Sequence, residues 1–151
     1  VTGAGEGIRV DLDLSKRLAR LHEGFRPRPY LDSVGVLTIG YGRNLAEGIS
    51  REEAEDLLTY DLTRARATLM VAFPWFSLLS EARQAVLVDM CFNLGYPRLG
   101  SFKRFLAAVA GGQYATACHE MLSSLWARQV GQRAIRLAEM MLTGMIPPEA
   151  R

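Results

Sequence analysis

Cysteine, histidine and lysine are scarce in this 151-residue chain, with two of each. Cys91 and Cys118 cannot build a disulfide framework. Both read as buried free thiols, Cys91 in an apolar run and Cys118 in a mixed helical one. His22 and His119 are too few, and wrongly spaced from the cysteines, for a zinc site. No nucleotide-binding motif is present either, so the expected chemistry uses neither metal nor cofactor. No stretch approaches the roughly 18–20 apolar residues of a transmembrane helix. Residues 1–10 are Gly-rich and lack an apolar core, so no signal peptide is read there. Internal repeats and low-complexity tracts are also missing. The net charge of +2 is too small to point to nucleic acid, and no aromatic-basic stripe supports one.

What is there suits an ordinary packed globule. The chain is 49% hydrophobic and 23% charged, enough to bury a core without disulfides. Its length fits a single domain or two small lobes. Charge is unevenly spread. Residues 1–61 carry 8 basic and 11 acidic side chains, and residues 62–151 carry 10 and 5. The basic groups are nearly all Arg, the exceptions being Lys16 and Lys103.

Apolar residues at Leu12, Leu14, Leu18 and Leu21 have helical spacing, with Asp13 as a cap and Gly24 as a stop. Pro27 and Pro29 end the helical option. Residues 30–42 are β-branched, aromatic and Gly-spaced, which predicts a small hairpin or meander. Ser50 followed by Glu53 is a capping box opening a long helix that stops before Pro74. Residues 81–93 are nearly all apolar and predict a buried central helix closed by Gly95 and Pro97. Further helices are expected over 102–110, 115–122 and 129–142. Packing is the expected role of the amphipathic last one, with its methionines as core filler, rather than membrane insertion. The fold class is therefore α+β, mainly α, in lobes of about 13–60 and 61–145 joined by a long interlobe helix.

Two carboxylates stand out. Glu23 lies at the end of the first helix, where the negative pole of the macrodipole disfavours the ionised form. That is the environment a general acid needs. Asp32 begins the hairpin, where nothing local demands a carboxylate. Thr38 follows in the next strand and could hold a water with its hydroxyl. Two carboxylates in contrasting surroundings suit glycoside hydrolysis. On spacing alone, plain surface solvation explains them as well.

The strings His22-Glu23-Gly24-Phe25, Tyr30-Leu31-Asp32 and Leu37-Thr38-Ile39-Gly40-Tyr41-Gly42 resemble the catalytic region of the phage-type lysozymes, glycoside hydrolase family 24. Eight residues separate Glu23 from Asp32, and five more precede Thr38, as in the family pattern. The resemblance extends through the Ser50 capping box, Phe92-Asn93-Leu94-Gly95, Trp126, Arg133 and Thr143-Gly144. It implies a muramidase that cleaves the β-1,4 bond between N-acetylmuramic acid and N-acetylglucosamine in peptidoglycan. Glu23 would be the general acid, Asp32 the base or electrostatic stabiliser, and Thr38 the residue that positions water. Asn93 and Arg133 fall on substrate-cleft positions, Arg133 on the arginine that pairs with the catalytic Glu. The family is regarded as inverting, which calls for carboxyl groups roughly 6.5–9.5 Å apart. The resemblance further implies a monomer, held in the host cytoplasm until its release to the periplasm or wall.

Two departures matter. Arg43 stands where family members often carry His, so an Arg43–Asp61 ion pair is expected, charged at all working pH. The segment 44–48 after it is short, which alters one rim of the cleft. Two other readings stay open: a lytic transglycosylase, which needs a single Glu, and a non-catalytic peptidoglycan-binding module.

Overall fold

The computed structural model describes residues 12–151, so the Gly-rich lead-in and the reading of no signal peptide lie outside the described residues. The chain divides into two compact units, Val1–Ala54 and Glu55–Arg151.

The first unit opens with α1, Leu12–Glu23. The Gly24 N–H donates back to the Arg20 carbonyl at 3.2 Å, which closes the helix at the expected place. Asp13 lies in its first turn. Three antiparallel strands follow in the order β1 (Arg26–Leu31), β2 (Leu37–Gly40) and β3 (Arg43–Asn44). Tyr30 pairs with Thr38, and Thr38 pairs in turn with Asn44, which makes β2 the central strand. β1 starts four residues before the expected hairpin and runs through Pro27 and Pro29. An edge strand tolerates missing N–H donors, and its register is irregular between Arg26 and Tyr30, where the prolines sit. The Arg26 guanidinium covers the Tyr30 ring at 4.2 Å.

A single 3-10 turn, Leu45–Glu47, leads to α2, Arg51–Ala72. The capping box forms as the spacing predicts. Glu53 N–H donates to Ser50 Oγ at 3.1 Å, and Ser50 N–H donates to Glu53 Oε2 at 2.8 Å. Two donors that a helix N-terminus leaves without partners are thereby satisfied reciprocally. The boundary between the units falls within α2.

The second unit holds the hydrophobic core. Leu69 of α2 and Phe76 pack with α3 (Glu81–Leu94), which is capped by Ser80. Val86, Leu87 and Met90 of α3 are fully buried, whereas Phe92 is 44% exposed, so this helix is buried along one side only. Burying such a side chain contributes about 1.5–3 kcal/mol. The Gly95 N–H caps α3 on the Cys91 carbonyl at 2.8 Å. The Gly95-Tyr96-Pro97 stop then starts a short α4, Tyr96–Gly100, with proline in its first turn, where a missing N–H costs nothing. α5 (Lys103–Ala110) and α6 (Tyr114–Leu122) follow. The helix expected over 129–142 is broken by Gly131 into α7 (Leu125–Val130) and α8 (Gln132–Thr143). Met140 and Met141 of α8 are core residues, as is Trp126 of α7. Cys91 is buried and Cys118 half-buried; burial pushes both thiols up from their ordinary range. Among the described residues, no helix is long and apolar enough to cross a membrane.

Candidate functional site

Three of the five expected site residues, Glu23, Asp32 and Thr38, lie in the first unit. Glu23 is the last residue of α1 and its side chain is exposed. The carboxylate lies against the turn that links β2 to β3. A Cβ placed on Gly42 would stand 3.0 Å from Glu23 Oε2 and 3.2 Å from its Cδ. The helix stop at Gly24 and the glycine at position 42 thus bring the end of α1 onto the sheet.

Asp32 follows directly on β1 and is half-buried. It does have a local duty, contrary to the sequence expectation. Its Oδ1 accepts from the backbone N–H of Val34 at 2.9 Å and of Val36 at 2.8 Å. The Asp32 N–H donates to the Val36 carbonyl at 2.9 Å, and Gly35 N–H donates to the Asp32 carbonyl at 3.1 Å. Asp32 is therefore the residue that builds the β1–β2 turn, as aspartate side chains do in Asx turns. Its Oδ2 accepts no hydrogen bond among the described residues. One oxygen holds the turn and the other is available to a ligand.

Thr38 is 4% exposed, the one polar residue in the buried set among the described residues. Its Oγ1 donates to the Val36 carbonyl at 2.9 Å. That leaves the hydroxyl's lone pairs to accept from a water. A single residue, Val36, thus ties the two side chains together: its N–H holds Asp32 and its C=O holds Thr38.

The expected Arg43–Asp61 pair does not form. Arg43 instead grips Glu53 through both oxygens, Nη1 to Oε1 at 2.8 Å and Nη2 to Oε2 at 2.9 Å. The reason lies in the capping box, which folds Glu53 back over the N-terminus of α2. Asp61 is eight residues further along that helix, about 12 Å at 1.5 Å per residue. The Ser50 backbone N–H, with the Arg43 guanidinium beside it, holds the Glu53 carboxyl below its ordinary range. This pair braces β3 against the start of α2.

Asn93 and Arg133 belong to the second unit and both meet partners there. Asn93 Oδ1 accepts from the Trp126 indole N–H at 2.8 Å, satisfying a donor on a buried ring. Arg133 Nε donates to Asp89 Oδ1 at 2.8 Å, so the arginine expected to face the catalytic Glu has an acid partner of its own. Sequence reasoning misses Asp89. Its signal is the four-residue spacing to Asn93, which sets two polar side chains on one face of the apolar α3.

The family model for phage lysozymes matches residues 20–139, a span that holds all five of these positions. The chain belongs to the phage lysozyme family. Two relatives illustrate its range. The chain is 27% identical to the pre-baseplate central spike protein Gp5 of Enterobacteria phage T4 over 84% of its length. It covers 27% of that longer protein. It is also 25% identical to a probable T4-type lysozyme 1 of Dictyostelium discoideum, over 87% of this chain and 95% of the relative. Membership makes this lysozyme domain a glycoside hydrolase of peptidoglycan. The mainly helical chain with one small three-stranded sheet agrees with that fold.

Proposed function

We propose that this lysozyme cleaves the β-1,4 bond between N-acetylmuramic acid and N-acetylglucosamine, with Glu23, Asp32 and Thr38 as its catalytic residues. Glu23 gives its proton to the glycosidic oxygen as the bond to C1 breaks. Positive charge then develops at C1 and the ring oxygen. A water donates a hydrogen bond to Thr38 Oγ1, attacks C1, and passes a proton to Asp32 Oδ2. One water is consumed, and each product ends in a hydroxyl.

The observation that supports this reading best is the Val36 link. Val36, whose N–H holds Asp32 Oδ1 and whose C=O holds the Thr38 hydroxyl, constrains their mutual geometry before substrate arrives, as preorganised catalysis requires. A transglycosylase has no use for a threonine held in this way beside a second carboxylate. Asn93 and Arg133, in the second unit, are further candidate substrate contacts.

Digestion of purified peptidoglycan with wild type and Glu23→Gln tests the proposal. The expected result is water-added, reducing-end products from wild type and none from the variant, which keeps wild-type folding. Anhydro products would replace hydrolysis by transglycosylation. Wild-type lysis by Glu23→Gln would remove Glu23 from its role.

A further inference from the structure

Two glycines flank Tyr41, and they differ in what surrounds them. Gly40 has φ +67° and Gly42 has φ +85°, both in the left-handed region that favours glycine. A Cβ on Gly40 would meet nothing within 4 Å. A Cβ on Gly42 would meet Glu23 along its length, Oε2 at 3.0 Å, Cδ at 3.2 Å and Cγ at 3.5 Å. Optimal separations between carbon atoms are about 3.5–4.0 Å, so a methyl group there overlaps the carboxyl. Backbone conformation alone therefore accounts for Gly40. At Gly42 it leaves the contact with Glu23 unexplained.

We propose that Gly42 is a positioning residue for the lysozyme reaction. Its bare Cα is the surface on which the Glu23 carboxyl rests, and the missing side chain sets where the acid proton is delivered. This rests on the reading of Glu23 as the general acid. The two ends of the contact have independent anchors. Glu23 is held by the close of α1 at Gly24, and Gly42 by the pairing of Ile39 with Arg43 on either side of its turn. With both backbones held, displacement at this contact falls on the Glu23 side chain, which must shift by a few tenths of an ångström. Misplacing a reacting group by about 1 Å can cost about 100-fold in rate, so a shift of a few tenths of an ångström should cost about 3- to 10-fold.

The test compares Gly42→Ala with Gly40→Ala, which carry the same kind of backbone penalty but only one of which touches Glu23. Rates are measured on soluble peptidoglycan fragments, with thermal unfolding alongside. Gly42→Ala is expected to lose kcat about 3- to 10-fold relative to Gly40→Ala, with KM within about twofold and similar unfolding temperatures. Glu23→Asp, one methylene shorter, is then combined with each change. The shorter acid withdraws from the added methyl, so Gly42→Ala should cost less kcat in the Glu23→Asp background than in wild type. Equal kcat losses for the two glycine variants overturn the inference, as does a Gly42→Ala cost that is the same in both backgrounds. If Gly42→Ala alone fails to fold, refolding on addition of Glu23→Asp upholds the contact, and continued failure overturns it. Failure of the function itself is seen separately, as lysis by Glu23→Gln.

Discussion

Gly144→Ala is the substitution whose cost can be worked out most fully from the structure. Gly144 caps α8 in the left-handed conformation at φ +70°, its N–H on the Met140 carbonyl at 2.9 Å. An L-residue there costs about 1 kcal/mol in backbone strain. The new Cβ would also stand 3.0 Å from Arg83 Cζ and Nη1. A flexible arginine would ordinarily swing away, but this one is held on three sides. Its Nε donates to the Met141 carbonyl at 2.9 Å and Nη2 to the Leu142 carbonyl at 3.1 Å. Its Cζ sits 3.4 Å from the Tyr114 ring centre. Hydrogen bonds from charged donors contribute about 1.5–3 kcal/mol each when protected and less on a half-exposed side chain, so about 1 kcal/mol each is reasonable here. The cation–π contact adds about 0.5 kcal/mol. Gly144→Ala should then cost up to about 3.5 kcal/mol, a fall in Tm of roughly 7–14 °C for a chain of this size. In an Arg83→Ala background the methyl meets no guanidinium, and the same change should cost only the backbone share, about 1 kcal/mol. Thermal or urea unfolding of the four proteins measures both. An identical cost with and without Arg83 would show that the contact contributes nothing, and the reasoning would fail.

Two further outcomes follow from the first unit. Asp32→Asn keeps an oxygen to accept from Val34 and Val36, so the β1–β2 turn should persist while lysis falls by orders of magnitude; Asp32→Ala should lose both, and equal unfolding temperatures for the two variants would refute the turn-building role. Glu53 is held below its ordinary pKa of 4.5 by Ser50 and Arg43, so its contribution to stability is present above that value and is lost as pH falls through the lower folded value. Wild type should therefore exceed Glu53→Gln in stability at neutral pH, with the difference closing below about pH 4.5, and a pH-independent gap in unfolding temperature would contradict it.

Much of the local structure is legible in the chain. Ser50 and Glu53 name their own hydrogen bonds, because a capping box is an arrangement of neighbours. Gly24 and Gly95 end α1 and α3 as expected, since a helix stop depends on the residues beside it. The Glu23, Asp32 and Thr38 pattern is also visible, carried by spacing and by resemblance. The misses share a cause. Arg43 takes Glu53 over Asp61 because the cap has already turned Glu53 toward it, a consequence two steps removed from composition. Asp32 reads as unconstrained in the sequence because its turn duty depends on where Val34 and Val36 point. The break at Gly131 is hidden inside a run whose apolar period continues across it.

The capping box and the helix stops at Gly24 and Gly95 are written in the chain, since each depends on near neighbours, and the family resemblance names the candidate acid, base and water-holding residues. Folding settles which groups hold one another: Val36 between Asp32 and Thr38, Gly42 beneath Glu23, Asp89 on Arg133 and Asn93 on Trp126. Composition offers Arg43 and Arg133 several acids each, and a charge selects its partner by distance and orientation, which exist only once the backbone has folded.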